Sequence, residues 1–230
     1  ANENLAEALN NSCNPIFVDI ALSLGKSTFY DYLKKFSFGL STGIDYSGEA
    51  IGMLVPESVV TDNDLARIGF GQTIAVTPLQ LVSAVASVIN GGKYYVPHLA
   101  KKVYNDELKV SEEFENKVKE ITIGEQTSKI LNGYLENVVT VGSGKNAYIE
   151  GYKVAGKTGT AQKYENGFIA QGKYVMSFVG FFPSDNPEYL ALVIVDEPVG
   201  GNYGSTVSAP LCKEIFEKII KVKNIKPKTE

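Results

Sequence analysis

Tryptophan is absent from these 230 residues, and histidine, cysteine and methionine are scarce, with one His, two Cys and two Met. Cys13 and Cys212 make no disulfide framework, and with His98 alone they make no metal-ligand spacing. His98 follows Pro97 in an irregular stretch and reads as a surface histidine. Long hydrophobic runs are missing too. The longest, Leu81 to Ile89 and Tyr189 to Val195, are too short to cross a bilayer. No stretch has signal-peptide character, and Ala1 is expected to fall within a helix already under way. Charge of one sign is nowhere concentrated: 22 basic residues are scattered among 26 acidic ones, for a net charge of −4. Without a basic stripe to displace counterions, nucleic-acid binding is excluded. Repeats and low-complexity tracts are also lacking.

What is present is apolar enough, at 44% hydrophobic, for one domain with a real core. Asn14-Pro15 reads as a helix start, with Asn capping and Pro in the first helical position. Ile16, Phe17, Ile20, Ala21 and Leu24 form its apolar face, and Gly25 is expected to stop it. Thr77-Pro78-Leu79-Gln80 spells a capping box that opens a buried helix running through Asn90. A further helix is expected from Thr127 to Thr140. Three strands follow, at Lys153–Lys163, Lys173–Phe182 and Glu188–Val195, the last two joined by the breakers Pro183 to Pro187. Short links make them antiparallel neighbours, and their near-continuous apolar runs imply cover on both faces. Leu211, Ile215 and Ile219 stripe a closing helix over Ala209–Val222, and the lysine-rich tail from Lys221 is expected to fray. The predicted fold is mixed α/β (α+β): an antiparallel sheet flanked by helices on both faces.

The stretch Gly151 to Thr158 reads G-Y-K-V-A-G-K-T, and Gly159-Thr160 follows. As G-x-x-x-x-G-K-[ST] it matches a nucleotide-binding P-loop, and Leu190 to Asp196 imitates the strand such a site needs. A P-loop requires a turn between its glycines and a helix after its lysine. Tyr152 to Ala155 instead suit a strand, and Gly159 followed by the hairpin signal Asn166-Gly167 argues against a helix. The P-loop NTPase is therefore a remote alternative.

As Lys157-Thr158-Gly159-Thr160, downstream of Ser12-Cys13-Asn14, the same residues resemble two of the three motifs of the penicillin-binding transpeptidases. The block Leu65 to Gln80, with its G-F-G-Q and T-P-L-Q, is similar to a segment of the class B enzymes. So are Val154 to Gln162, Asp196-Glu197-Pro198, Tyr203-Gly204 and Ala209-Pro210. The resemblance runs over essentially the whole chain in unbroken order. It implies a five-stranded sheet with two strands outside this chain. The family's first motif, S-x-x-K, has no counterpart in the right place. Ser23-Leu-Gly-Lys26 fits the letters but follows the S-x-N, and Ser23 is expected to face away from the cleft. Residues 1–230 are thus expected to be the C-terminal portion of a transpeptidase domain. The nucleophile helix would lie upstream and the chain alone would be inactive.

The resemblance also implies roles. The enzyme would cross-link peptidoglycan stem peptides through an acyl-serine and be inhibited by β-lactam antibiotics. Lys157 would supply fixed positive charge for the substrate carboxylate, and Thr158 and Thr160 hydroxyls to bind it. The Thr160 N–H would serve the oxyanion hole, and Gly159 would admit the substrate backbone. Ser12 would relay a proton or hold the catalytic lysine neutral, and Asn14 would bind the substrate amide. No cofactor is required. Cys13, at the mouth of the cleft, is either a small packing residue or a thiol that pairs with an upstream cysteine or ligates zinc. The S-C-N is similar to that of the sporulation-specific type. A membrane anchor, an extracytoplasmic position and a glycan-polymerase partner are implied only by the family. A β-lactam receptor or inactive scaffold of the same fold is the alternative. Each residue also has a plain reading: Asn14 and Thr77 as caps, Ser12 as a turn residue, Tyr164 and Tyr203 as packing.

Overall fold

The computed structural model describes residues 3–165, 168–200 and 203–228. Helix α1 (Leu5–Asn11) starts at a capping box in which Asn4 and Glu7 each accept the other's backbone N–H. The helix expected to be under way at Ala1 therefore begins at Leu5, while Ala1 lies outside the described residues. It ends on Ser12, held in left-handed backbone at φ 55° and ψ 49°. In α2 (Asn14–Lys35) the cap is Cys13, and Asn14 is the first helical residue rather than the cap. Gly25 breaks this helix at φ 73° and ψ 165°, but a second helical stretch resumes at once instead of a stop. Helix α3 (Asp62–Gly69) opens at a Thr61–Asp64 capping box that the sequence reading missed.

Helix α4 (Pro78–Ile89) opens where its capping box predicts. Its most buried side chains are not the apolar ones alone but also Gln80, Ser83 and Ser87. Gln80 is fully buried and explains this. Its Nε2 donates to the carbonyls of Leu40 at 2.8 Å, Ile51 at 2.9 Å and Ser37 at 3.2 Å. Its Oε1 accepts from the Thr77 N–H at 2.9 Å. One amide thereby stitches the loop after α2 to the start of α4. Strands β1 (Lys93–Tyr95), β2 (Lys102–Tyr104), β3 (Val110–Glu113) and β4 (Val118–Ile121) make two small antiparallel ladders, β1–β4 and β2–β3. They are short and mostly exposed, so no periodicity announced them.

Helix α5 (Glu125–Thr140) leads through a 3-10 turn (Lys145–Ala147) to β5 (Ala155–Glu165), β6 (Phe168–Phe182) and β7 (Tyr189–Asp196). Strand β5 starts at Ala155 rather than Lys153, whose φ of 46° is not extended. It continues past Thr158 to Glu165, so no helix follows the lysine as a P-loop demands. The Asn166-Gly167 turn lies outside the described residues. The sheet is antiparallel in the order β5-β6-β7, pairing Lys157 with Val179 and Thr160 with Met176. Helix α6 (Gly204–Lys223) starts earlier than Ala209 and carries Pro210 inside it.

Phe178 and Phe182 point from β6 to α6, where they bury Ala209, Cys212 and Phe216. Phe216 meets Phe182 edge-on, with ring centroids 4.8 Å apart. Gly180 permits this closeness, since a side chain there would run into Phe178 and Cys212. On the other face Ala155 and Phe181 pack under Ile89, Val85 and Leu135 of α4 and α5. Burying each aromatic is worth roughly 1.5–3 kcal/mol. The tail does not fray at Lys221. The Lys228 N–H donates to the Gly151 carbonyl at 2.8 Å, and Tyr152 Oη donates to the Ile225 carbonyl at 3.2 Å.

Candidate active site

Ser12 and Lys157 are separated by nearly two thirds of the chain, yet Lys157 Nζ donates to Ser12 Oγ at 2.5 Å. Two local features bring them together. Helix α1 cannot continue through the left-handed Ser12, so the chain turns there into α2 and leaves the hydroxyl at the junction. Strand β5 is the edge of the described sheet, so Lys157 can wrap around it towards that junction. The α5 exit loop secures the approach: the Ser143 N–H donates to the Asn10 carbonyl at 3.0 Å.

Lys157 is half-buried, and burial pushes its ammonium down from an ordinary 10.5 to about 8. Besides Ser12, its Nζ donates to the Thr158 carbonyl at 3.1 Å and reaches Thr158 Oγ1 at 3.5 Å. The charge expected to be fixed is thus poised to titrate just above neutral pH.

Two glycines bring helix α6 against β5. A Cβ on Gly204 would collide with the carbonyls of Gly159 and Ser177, and one on Gly159 would collide with Ser177 Oγ. The Gly204 N–H, in the first turn of α6, donates to Thr160 Oγ1 at 3.2 Å. Thr160 is exposed and keeps its own hydroxyl hydrogen for an incoming acceptor. The positive end of α6 and the Lys157 ammonium both open on one cleft of about 470 Å³. Ser12, Asn14, Lys157, Thr158, Gly159 and Thr160 all line it.

Cys13 does not line this cleft, although its two neighbours do. Successive residues at the turn into α2 face different ways, so the thiol is half-buried beside the mouth rather than in it. Cys212 is deep in the α6 core, where burial pushes its thiol up to about 12. Among the described residues no group of three His, Cys, Asp or Glu is placed to hold a metal. Ser23 is exposed, and the break at Gly25 falls between it and Lys26. Tyr203, expected to pack, lines the cleft and is 64% exposed. Sequence reasoning missed Phe17, Phe70, Gln72 and Ser143 as lining residues. Only Phe70 and Gln72 lay inside a quoted motif, and the Gly-Ser-Gly around Ser143 was an unread sign of close packing. No helix among the described residues is long and apolar enough to cross a membrane.

Known proteins share this chain's sequence pattern and fold. Residues 1–217 match the family described as the penicillin binding protein transpeptidase domain. Stage V sporulation protein D of Bacillus subtilis (strain 168) is 41% identical over 224 residues, covering 96% of this chain and 35% of that protein. Peptidoglycan D,D-transpeptidase FtsI of Escherichia coli (strain K12) is 28% identical over 224 residues, covering 97% of this chain and 36% of that one. The crystal structure of penicillin binding protein 3 from Mycobacterium tuberculosis, complexed with ampicillin, has a TM-score of 0.91 at 26% identity. That match covers 99% of this chain and 52% of the other. The chain spans about a third of the length of these two curated relatives. With the S-x-N and K-T-G residues converging on one cleft and a family match over nearly its whole length, the chain belongs to the penicillin-binding protein transpeptidase domain family.

Proposed function

We propose that this chain forms the substrate-holding part of a D,D-transpeptidase that cross-links peptidoglycan stem peptides and is acylated by β-lactams. The observation that carries the reading is the contact of Ser12 Oγ with Lys157 Nζ at the open edge of β5. A stem peptide ending in D-Ala-D-Ala would add to that edge, pairing with the main chain around Gly159, which lines the cleft. Its terminal carboxylate would meet the Lys157 ammonium, the Thr160 hydroxyl and the positive end of α6.

A serine hydroxyl from an S-x-x-K segment preceding Ala1 would attack the penultimate carbonyl, with the Thr160 N–H stabilising the oxyanion. The C–N bond then breaks, D-alanine leaves with a proton, and an ester remains. An amine of a second stem peptide attacks the ester, forms the new amide and returns the serine. Ser12 is suited to pass the proton towards the leaving amine because it already shares a hydrogen bond with Lys157. Asn14, exposed and lining the cleft, would hold the substrate amide carbonyl. On this reading the domain works on the outer face of the membrane, reached through an anchor outside these residues, beside a glycan polymerase.

Fluorescent penicillin should label the full-length protein at a serine upstream of residue 1, and stem peptides should be turned over. The 230 residues alone should remain unlabelled. Label on Ser12 or Ser23 would overturn the division of labour. Labelling without any stem-peptide transfer would favour a β-lactam receptor.

A further inference from the structure

We infer that Ser143 is a positioning residue of this site: its hydroxyl holds the Thr158 side chain beside Lys157, and its N–H anchors the helix end that presents Ser12. The inference rests on the transpeptidase reading above. It starts from the loop after α5, Gly142-Ser143-Gly144. A Cβ on Gly142 would meet the Asn10 carbonyl and the backbone of Val138, at 2.9 Å. One on Gly144 would crowd the Val138 carbonyl and the Phe178 ring. Both flanking positions are therefore pressed against α1, α5 and the sheet. Ser143 is the one side chain this loop offers to the cleft.

Its contacts close a circuit. Ser143 Oγ lies 3.3 Å from Thr158 Oγ1, and Thr158 supplies Lys157 Nζ with a carbonyl at 3.1 Å and a hydroxyl at 3.5 Å. Lys157 in turn donates to Ser12, and Ser12 ends the helix whose Asn10 carbonyl accepts from Ser143. An ammonium can only donate, so Thr158 Oγ1 accepts from it and still has its own hydrogen or its second lone pair to share with the Ser143 hydroxyl. Without the Ser143 hydroxyl, Thr158 Oγ1 loses the partner that fixes it, and the Thr158 hydroxyl is free to rotate away from the ammonium. The charged lysine then loses an acceptor, and its neutral form gains. A residue that merely fills space between two glycines would have neither consequence.

The test is the acylation rate of the full-length protein by fluorescent penicillin, measured across pH, with melting temperatures alongside. Ser143→Ala should slow acylation about tenfold, the scale of one neutral hydrogen bond, and move the alkaline limb of the profile to lower pH. Ser143→Thr, which keeps a hydroxyl, should restore both. Ser143→Ala combined with Thr158→Val should be no slower than Thr158→Val alone, because both remove the same interaction. Should the alanine variant fail to fold, Ser143→Cys replaces it, close in size with a poor hydrogen-bonding thiol, and the same slowing is expected. A wild-type rate and unmoved limb in the alanine or cysteine variant, or independent effects of the two substitutions, would overturn the assignment of Ser143. A wild-type protein that takes no label at all would overturn the transpeptidase reading, and this assignment with it.

Discussion

Gln80 and Lys157 are both polar side chains taken largely out of water, and the molecule treats them in opposite ways. Gln80 is neutral, fully buried and satisfied at both ends of its amide, donating to three carbonyls and accepting from one N–H. Nothing about it is left open, and it lines no part of the cleft. Lys157 is a cation at a sheet edge, with no carboxylate among its hydrogen-bond partners and its charge made costly by burial alone. A fully satisfied buried amide fixes a loop. A half-compensated cation facing a cleft holds interaction capacity for a ligand. The T-P-L-Q block is thus scaffold, whereas the K-T-G strand is where the proposed chemistry falls, although K-T-G alone was the weaker signal in the sequence.

Removing each group breaks the comparison most directly. Lys157→Ala in the full-length protein should cut penicillin acylation about a hundredfold or more, the scale for one missing charge-stabilising group. The fold should survive, because the substitution relieves a desolvated charge and leaves the apolar core intact. The sign follows from the lowered pKa: between about 8 and the ordinary 10.5 the unfolded chain binds more protons than the folded one. Wild-type stability should therefore rise with pH through that window, and the rise should vanish in the variant. Denaturant melts at several pH values that show no such rise, or unchanged labelling of the variant, would expose a wrong assignment.

Gln80→Ala should do the reverse. It strands three carbonyls and the Thr77 N–H, for roughly 2–4 kcal/mol of stability, while the labelling rate of the folded fraction stays near wild type. A large rate loss at full stability would make Gln80 part of the site instead. Cys13→Ser should have the smallest effect, because the thiol is not on the cleft wall. Labelling should match wild type with or without reductant or chelator. Reductant-dependent labelling that the serine variant abolishes would restore the thiol as a switch.

The elements legible in the sequence were those with a strong local signal. The T-P-L-Q capping box opens α4 as read, and the apolar runs of β6 and β7 form strands within a residue or so at their shared turn. Elements whose signal is weak or shared with loops were missed: α3, and the four short exposed strands β1 to β4. Helix α6 extends back to Gly204 for a reason outside its own sequence, since Gly204 must be small to lie on the Gly159 carbonyl. The tail also looked free because its anchors, Gly151 and Tyr152, are remote along the chain.

By itself the sequence determined the strand character of Lys157 to Thr160 and the helix start that follows Ser12, because both depend on local backbone preference. It also determined the family, through residue types kept in order. Only the tertiary structure decided that Lys157 reaches Ser12, that its charge is poised near 8, that Cys13 stands outside the cleft, and that Ser143 stands inside it. Desolvation and side-chain direction are set by neighbours far off in the chain, and no local pattern encodes them.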